Sequence, residues 1–458
     1  MNDITAFFAF LKYCLGYKEN MSRVIAGMNW HELYSFASKQ ALLGLCFEGI
    51  ERLGEEYPEE LKRNPIGREL LMTWMGKAQQ IRRQNMKVNA VAGKLFSMLR
   101  EDGLRCCVLK GQGNALMYSN PYSRTPGDID VWIDASRERI MEYAQKKFEL
   151  EDDIRLQHLE TSLDGVPLEL HFFPCSMNNP IYHARLQKWF RRNADLQCSH
   201  IVGMPDGAGD IAIPTTAFNV IYQLTHLYHH FFDEGIGMRQ IIDYFLVVND
   251  FSKNVFLNND LSNHPVNFSN HPVPLSKEGS TFSPSPSSSG SGDVTAPSRC
   301  SEPLRSKDGG PSKVSPDCAG WDRLAIEGDN SVGSTTVVTS SASTALVVVQ
   351  RELKYLGLWK FAGAVMYVLH ETLGLSEEKM IAPMDEKRGK LLLAEILNGG
   401  NFGKHFTKYG HFTQQGMAKK YFLKIWRNMH FVRYFPAEAL SEPIFRTWHF
   451  FWRLKHRR

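Results

Sequence analysis

Residues 127–133 read GDIDVWI, and the organisation of the chain follows from how this stretch is placed. Its alternation puts Asp128, Asp130 and Trp132 on one face of a strand and Ile129, Val131 and Ile133 on the other. The apolar face packs. The two carboxylates repel each other and resist desolvation, so their face should border a cleft where positive charge is expected.

Upstream, LRCCVLKG (104–111) is a short apolar run that ends in Lys110 and Gly111, a buried strand opening into a tight turn. QGNALMYSN (112–120) has room for a short helix. Downstream, IRLQHLETSLDGVPLELHFFP (154–174) carries Asp164-Gly165 between two alternating runs, which predicts a two-residue hairpin. Leu163 then faces Val166, so Leu159, Thr161 and Leu163 oppose Leu170, Leu168 and Val166 on an apolar face. On the other face Glu160 opposes Glu169 and His158 opposes His171. Carboxylates directly across a ladder repel, unless this face borders the same cleft and a divalent cation turns repulsion into coordination.

Three carboxylates beside a glycine turn suit phosphoryl-type transfer with a hard cation. Asp128, Asp130 and Glu169 are the expected ligands of Mg²⁺ or Mn²⁺, with Glu169 alternatively a general base. Lys110, Gly111, Arg124 and Gly127 are the expected contacts to an NTP triphosphate. His158, Glu160 and His171 are expected beside the carboxylates. Arg239 lies four residues before Asp243 and is expected to pair with it, with contact to nucleotide or acceptor as the sharper alternative.

The remainder is segmented by texture. Residues 1–102 read as helices, 103–205 as a strand-rich core and 206–251 as helical again. Residues 252–343 are rich in Ser, Pro and Gly and are expected to be a disordered insertion; helical texture returns over 344–458. In LTHLYHHF (224–231), His226, His229 and His230 have helical spacing but no H-E-x-x-H pattern, so packing or substrate contact is expected rather than zinc. GGNFGKH (399–405) lacks the strand–loop–helix setting of a phosphate loop and reads as a structured helix connection. The aromatic and basic end, 421–458, reads as amphipathic helices closing a helical domain, with a membrane surface or RNA as alternative partners.

Composition narrows the class only modestly. A chain of 458 residues with net charge +4 exceeds one ordinary core and is not marked as a nucleic-acid or membrane-surface protein. Eight cysteines without a CxxC, an acidic start and no apolar run of membrane-spanning length predict a soluble cytoplasmic protein with reduced thiols.

The arrangement LKG, R-x-x-GDID and ELH, followed by HHFFDEGIGMRQIIDY and ILNGGNFGKH, resembles the bacterial family of uncharacterised nucleotidyltransferases, within the polymerase-β-like superfamily. The resemblance implies an α+β fold: a small mixed sheet with helices, flanked by N- and C-terminal helical segments. It also implies a Mg²⁺-dependent nucleotidyltransferase in which Asp128 and Asp130 match the metal-binding pair and Glu169 the third carboxylate. The acceptor is left open between a small molecule, a sugar phosphate, a protein and RNA, as is the oligomeric state. Two alternatives stand beside this reading. Gly111-Gln112, where the superfamily usually shows Gly-Ser or Gly-Gly, allows a nucleotide-binding regulatory protein without turnover. A D-x-D glycosyltransferase would need a sizeable α/β half before the motif.

Overall fold

Helices precede every strand. The computed structural model describes residues 3–150, 155–257, 341–405 and 417–456. Helices α1 (Asp3–Cys14), α2 (Ser22–Ala26), α3 (Trp30–Lys39), α4 (Leu43–Glu56), α5 (Pro58–Arg63) and α6 (Arg68–Glu101) lead into β1 (Cys106–Leu109). The described residues before β1 therefore form no α/β half of the kind a D-x-D glycosyltransferase needs. In α6 the buried Leu70, Trp74, Ile81, Val88, Leu95 and Leu99 recur at helical spacing. The helix stops where Gly103 takes a left-handed φ of 72° and the Leu104 N–H donates to Leu99 O at 2.8 Å.

The sheet follows from alternation and one turn. β1, β2 (Ile129–Ile133), β3 (His158–Leu163) and β4 (Val166–His171) lie in the order β1-β2-β4-β3. β1 is antiparallel to β2, β2 parallel to β4, and β3 antiparallel to β4. The hairpin has the register read from the sequence: Leu163 faces Val166, Glu160 faces Glu169 and His158 faces His171. Asp164 and Gly165 both have positive φ, 50° and 69°, as the turn that follows strand twist requires. The chain is thus mixed α+β, mostly helical with a small mixed sheet.

Both faces of the sheet are covered. Val108, Ile129, Val131, Ile133, Leu168 and Leu170 pack with α6 and α8 (Arg137–Lys147) in one core. On the other face Cys107, Leu109 and Trp132 join a larger helical core. Trp132 stacks at 6.3 Å on Phe218 of α10 (Thr216–Asp233) and lies 6.1 Å from Phe190 of α9 (Pro180–Ser199). The aspartate-bearing face of β2 is therefore divided: Trp132 belongs to a core, while Asp130, though buried, adjoins the exposed Asp128 just before the strand.

The helical core continues through α11 (Met238–Leu257), α12 (Ser341–Tyr355), α13 (Trp359–Leu373), α14 (Glu386–Gly399), α15 (Met417–Met429) and α16 (Pro436–His456). β5 (Ile201–Gly203) and β6 (Asp210–Ala212) form a separate two-stranded ribbon between α9 and α10. Helix enters both ends of the expected insertion. α11 runs to Leu257, with Val255 still packed on the core in phase with Val248 and Phe251, and α12 starts at Ser341. The expected disorder over 258–340 lies outside the described residues, as do Cys300 and Cys318; the six described cysteines are free. No described helix is long and apolar enough to cross a membrane. Phe431, Phe435 and Ala439, around the α15–α16 junction, are buried, with Phe431 4.6 Å from Phe231 of α10.

The connection from α7 (Gly111–Ala115) to β2 is clamped from several sides. Asn85, fully buried in α6, donates from Nδ2 to Tyr122 O at 3.1 Å and to Arg124 O at 2.8 Å. Thr125 Oγ1 donates to Ala41 O at 2.8 Å. Gly44 of α4 lies so close to this segment that a Cβ there would run into the Ser123 carbonyl. Gly44→Ala should lower unfolding free energy in denaturant by roughly 1–3 kcal/mol, the usual range for overpacking. An unchanged midpoint would show that this approach is not tight.

Candidate active site

Asp130 is the most enclosed of the three carboxylates. It sits in β2, 3% exposed, and parallel pairing with β4 sets it opposite Glu169. Two cationic groups meet its Oδ1, Lys110 Nζ at 2.9 Å and His171 Nε2 at 3.1 Å. His171 Nε2 also lies 3.1 Å from Glu169 Oε2, so one imidazole bridges the two carboxylates. Burial opposes a charge on His171, but its bonds to Asp130 and Glu169 prevail and raise it to about 9, leaving it protonated at neutral pH. Burial likewise opposes a charge on Glu169, and the His171 bond with its positive neighbours holds that carboxyl well below the usual range.

Asp128, one residue before β2, is exposed and makes no ion pair among the described residues. The charge of Asp130, then loss of solvation, pushes its carboxyl up to about 6. Lys110 remains charged: burial works against it, while Asp130, Asp128 and Glu169 together raise it. It adopts φ 50° and ψ −135°, a backbone conformation rarely taken outside glycine, at the turn where β1 meets α7. Its Nζ also reaches His226 Nε2 of α10 at 2.8 Å, and burial, followed by the Lys110 charge, keeps His226 neutral.

The hairpin carboxylates are handled without direct repulsion. Glu160 pairs with Arg155 at 2.6 Å. His158 stands near both glutamates, 3.5 Å from Glu169 Oε2 and 3.6 Å from Glu160 Oε1, and neither of its buried nitrogens has a hydrogen-bond partner among the described residues. His158, Glu169 and His171 present ligand atoms within 4.8 Å of one another, a grouping that a metal ion also satisfies.

A cleft beside these groups is lined by Lys110, Gly111, Arg124, Gly127, Asp128 and Asp130, and from α11 by Arg239. Every expected triphosphate contact therefore reaches one cavity, together with the aspartate pair. Glu169, His158, Glu160 and His171 do not line it; Glu169 and His171 connect to it through Asp130. The expected intrahelical pair of Arg239 with Asp243 is not formed. Asp243 instead accepts two bonds from Arg124, Nε at 2.9 Å and Nη2 at 2.8 Å, and one from Tyr118 Oη at 2.7 Å. A planar guanidinium meets a carboxylate best in this forked geometry, which a rotated i,i+4 partner does not supply. Arg239 donates from Nη1 to Thr125 O at 3.0 Å, while its buried Nε has no partner among the described residues.

A family model of uncharacterised nucleotidyltransferases matches residues 26–262, more than half of the 458 residues. The chain belongs to this family. It is a nucleotidyltransferase, a transferase of phosphorus-containing groups, for which an NTP is the implied substrate. Neither the curated proteins nor the solved structures gave a significant match.

Part of this nucleotidyltransferase's cleft was not singled out in the sequence. Asn114 and Gln223 line it and exchange reciprocal amide bonds at 3.0 and 2.7 Å, joining α7 to α10. Gln240 and Phe402 also line it. Gln240 and Phe402 lie within the quoted stretches HHFFDEGIGMRQIIDY and ILNGGNFGKH, but an amide or a lone Phe shows its place only after folding brings it to the site. His226 and His230 lie 2.9 Å apart, and His229 belongs to no metal-holding group among the described residues.

Two measurements check this geometry. Asp243→Asn leaves the Arg124 charge buried without its partner and should lower unfolding free energy by about 3–5 kcal/mol in denaturant melts; a change below 1 kcal/mol would contradict the buried pair. In the metal-free protein a carboxyl NMR titration should place Asp128 near pH 6. Asp130→Asn should return it towards the ordinary range. The folded state binds this proton more tightly than the unfolded chain, so the contribution of Asp128 to stability declines as pH rises through about 6.

Proposed function

We propose that this cleft transfers a nucleotidyl group from an NTP to an acceptor hydroxyl or phosphate, with Mg²⁺ or Mn²⁺ as the cation. The acceptor oxygen bonds to the α-phosphorus as the bond from that phosphorus to its bridging oxygen breaks. Pyrophosphate leaves with the electron pair, and a hydroxyl acceptor releases its proton to solvent. The observation that carries this reading is the parallel register of Asp130 against Glu169, which sets a third carboxylate beside the aspartate pair at a cleft lined by Lys110 and Arg239.

The donor set suits a hard divalent cation. Asp128 has no ion-pair partner among the described residues, and its proton affinity is raised by the repulsion from Asp130 that a bound cation would relieve. Asp128, Asp130 and Glu169 would hold the ion, whose chemistry is to neutralise phosphate charge and orient the reacting oxygens. The low proton affinity of Glu169 favours a ligand role over that of general base. Lys110, held between Asp130 and His226, presents a fixed positive charge to the phosphates, next to the Gly111 turn. Gly127 leaves backbone room in front of Arg239, whose Nη1 lies 3.9 Å from the position a Cβ would take. Arg124 supports the reaction by fixing the segment that carries Asp128, its own charge being matched by Asp243.

Purified protein incubated with Mg²⁺ and each α-labelled NTP, with and without cell extract, should transfer label and release pyrophosphate. The labelled product then distinguishes a small molecule, a sugar phosphate, a protein or RNA as acceptor. Asp128→Ala combined with Asp130→Ala should reduce transfer by at least about a hundredfold, comparable to losing a key electrostatic group. Undiminished transfer in that double variant would remove the site assignment.

A further inference from the structure

Phe402 is the least expected member of the cleft. It lies outside the span matched by the family model, in the 399–405 connection after α14. Its backbone has φ 53° and ψ 33°, a left-handed conformation that is an outlier for a bulky side chain. The surroundings hold it there. Gly400 and Gly403 also take positive φ, and the His405 N–H donates to Gly399 O at 2.9 Å. Gln40, 1% exposed at the end of α3, donates from Nε2 to Ile396 O at 3.2 Å and accepts the Met238 N–H on Oε1 at 2.8 Å. One amide thereby ties the end of α14 to the start of α11. The fit is close, because a Cβ on Gly237 would lie 2.7 Å from Asn401 Cα.

These constraints bring a half-buried aromatic ring to Arg239. The Arg239 guanidinium carbon lies 5.5 Å from the Phe402 ring centroid. On its other side Arg239 binds Thr125 O, in the segment leading to Asp128. Two buried donors of the cleft lining have no partner among the described residues, Arg239 Nε and Gln240 Nε2, each on a residue 8% exposed. Leaving such groups unpaired is unfavourable unless a ligand rich in acceptors satisfies them. The lining of one cleft thus combines carboxylates and Lys110 with a guanidinium and an aromatic ring, and Phe402 also lies 5.3 Å from the ring of His230. A nucleotide presents the matching groups, anionic phosphates and a flat base.

We propose that Phe402 is the stacking platform for the nucleobase of the donor NTP, with Arg239 bridging from that ring towards the phosphates. The proposal rests on the nucleotidyl-transfer reading and adds which residues recognise the nucleoside part of the donor. Every base has a π-face, so the ring binds bases in general, and the Gln240 amide is the neighbouring donor available to a base carbonyl or ring nitrogen.

Equilibrium binding of ATP, GTP, CTP, UTP and inorganic tripolyphosphate to the full chain with Mg²⁺ tests this. Phe402→Leu should weaken binding of the preferred NTP roughly tenfold, the usual scale for losing one base–aromatic stack, and leave tripolyphosphate affinity unchanged. Arg239→Gln should weaken both ligands. Phe402→Tyr keeps a ring and should retain the wild-type ratio of NTP to tripolyphosphate affinity, which separates lost stacking from general damage to the connection. An unchanged ratio in Phe402→Leu, with NTP still bound by the wild type in an Asp128-dependent manner, overturns the platform alone. If the wild type binds neither NTP nor tripolyphosphate, the nucleotidyl-transfer reading and this proposal both fall.

Discussion

The ion pair between Arg124 and Asp243 is the constraint on which the site depends. Arg124 lies in the segment leading into β2, and Asp243 in a helix that begins more than a hundred residues later. Both side chains are almost fully buried, at 4% and 6% exposure, so each charge depends on the other for its solvation. Burial opposes the charge on Asp243, and Arg124, helped by Arg239 and the Tyr118 hydroxyl, holds its carboxyl below the usual range. Through this contact α11 fixes the entry to β2, and with it the position of Asp128. The same contact frees Arg239 from its sequence neighbour and directs it to Thr125 and the cleft. One helix therefore supplies both the anchor of the carboxylate segment and a guanidinium beside it.

The electrostatics of the cleft are those of a site that crowds three carboxylates together among buried cations. Asp130 is matched by Lys110 and His171, and Glu169 by His171. Asp128 makes no ion pair among the described residues, and its raised proton affinity expresses the repulsion from Asp130. Of the three carboxylates, Asp128 is the one most accessible from solvent, and Arg239 lies near it beyond Gly127 without forming an ion pair. A divalent cation arriving there meets a partly ordered ligand set, which lessens the reorganisation that binding demands.

How much of this was legible in the sequence depended on the range of the interaction. The hairpin register followed from Asp164-Gly165 and strict alternation, both local, and the pairing of Glu160 with Glu169 followed from it. The divided face of β2 was only half legible. Alternation grouped Trp132 with the aspartates, but only the packing of α9 and α10 shows that Trp132 belongs to a core. Arg239 and Asp243 show the opposite failure: i,i+4 spacing suggested a local pair, and a forked guanidinium from elsewhere displaced it. Phe402 lies in a stretch that the sequence marks, GGNFGKH, but its place at the site emerges only when Gln40 and Gly237 bring that connection against α11. The C-terminal limit of α11 was missed for a smaller reason: its apolar phase persists through Val255, past the point where composition changes.

The chain order of the cleft residues has a consequence for how the molecule holds its site together. Asp128, Asp130, Lys110 and Arg239 all precede residue 257, whereas Phe402 follows residue 341. A single backbone cut between those two points would divide the cleft between two polypeptides, neither of which carries all of it. What joins them is not the peptide link but the aromatic seam of α10 against the later helices, with Tyr228 at 4.7 Å from Phe361 and Phe231 at 4.6 Å from Phe431. Gln40 adds a polar tie from the first polypeptide to Ile396 of the second. The site is in this sense a reconstituted one even in the intact protein, assembled by side-chain packing across two stretches of chain.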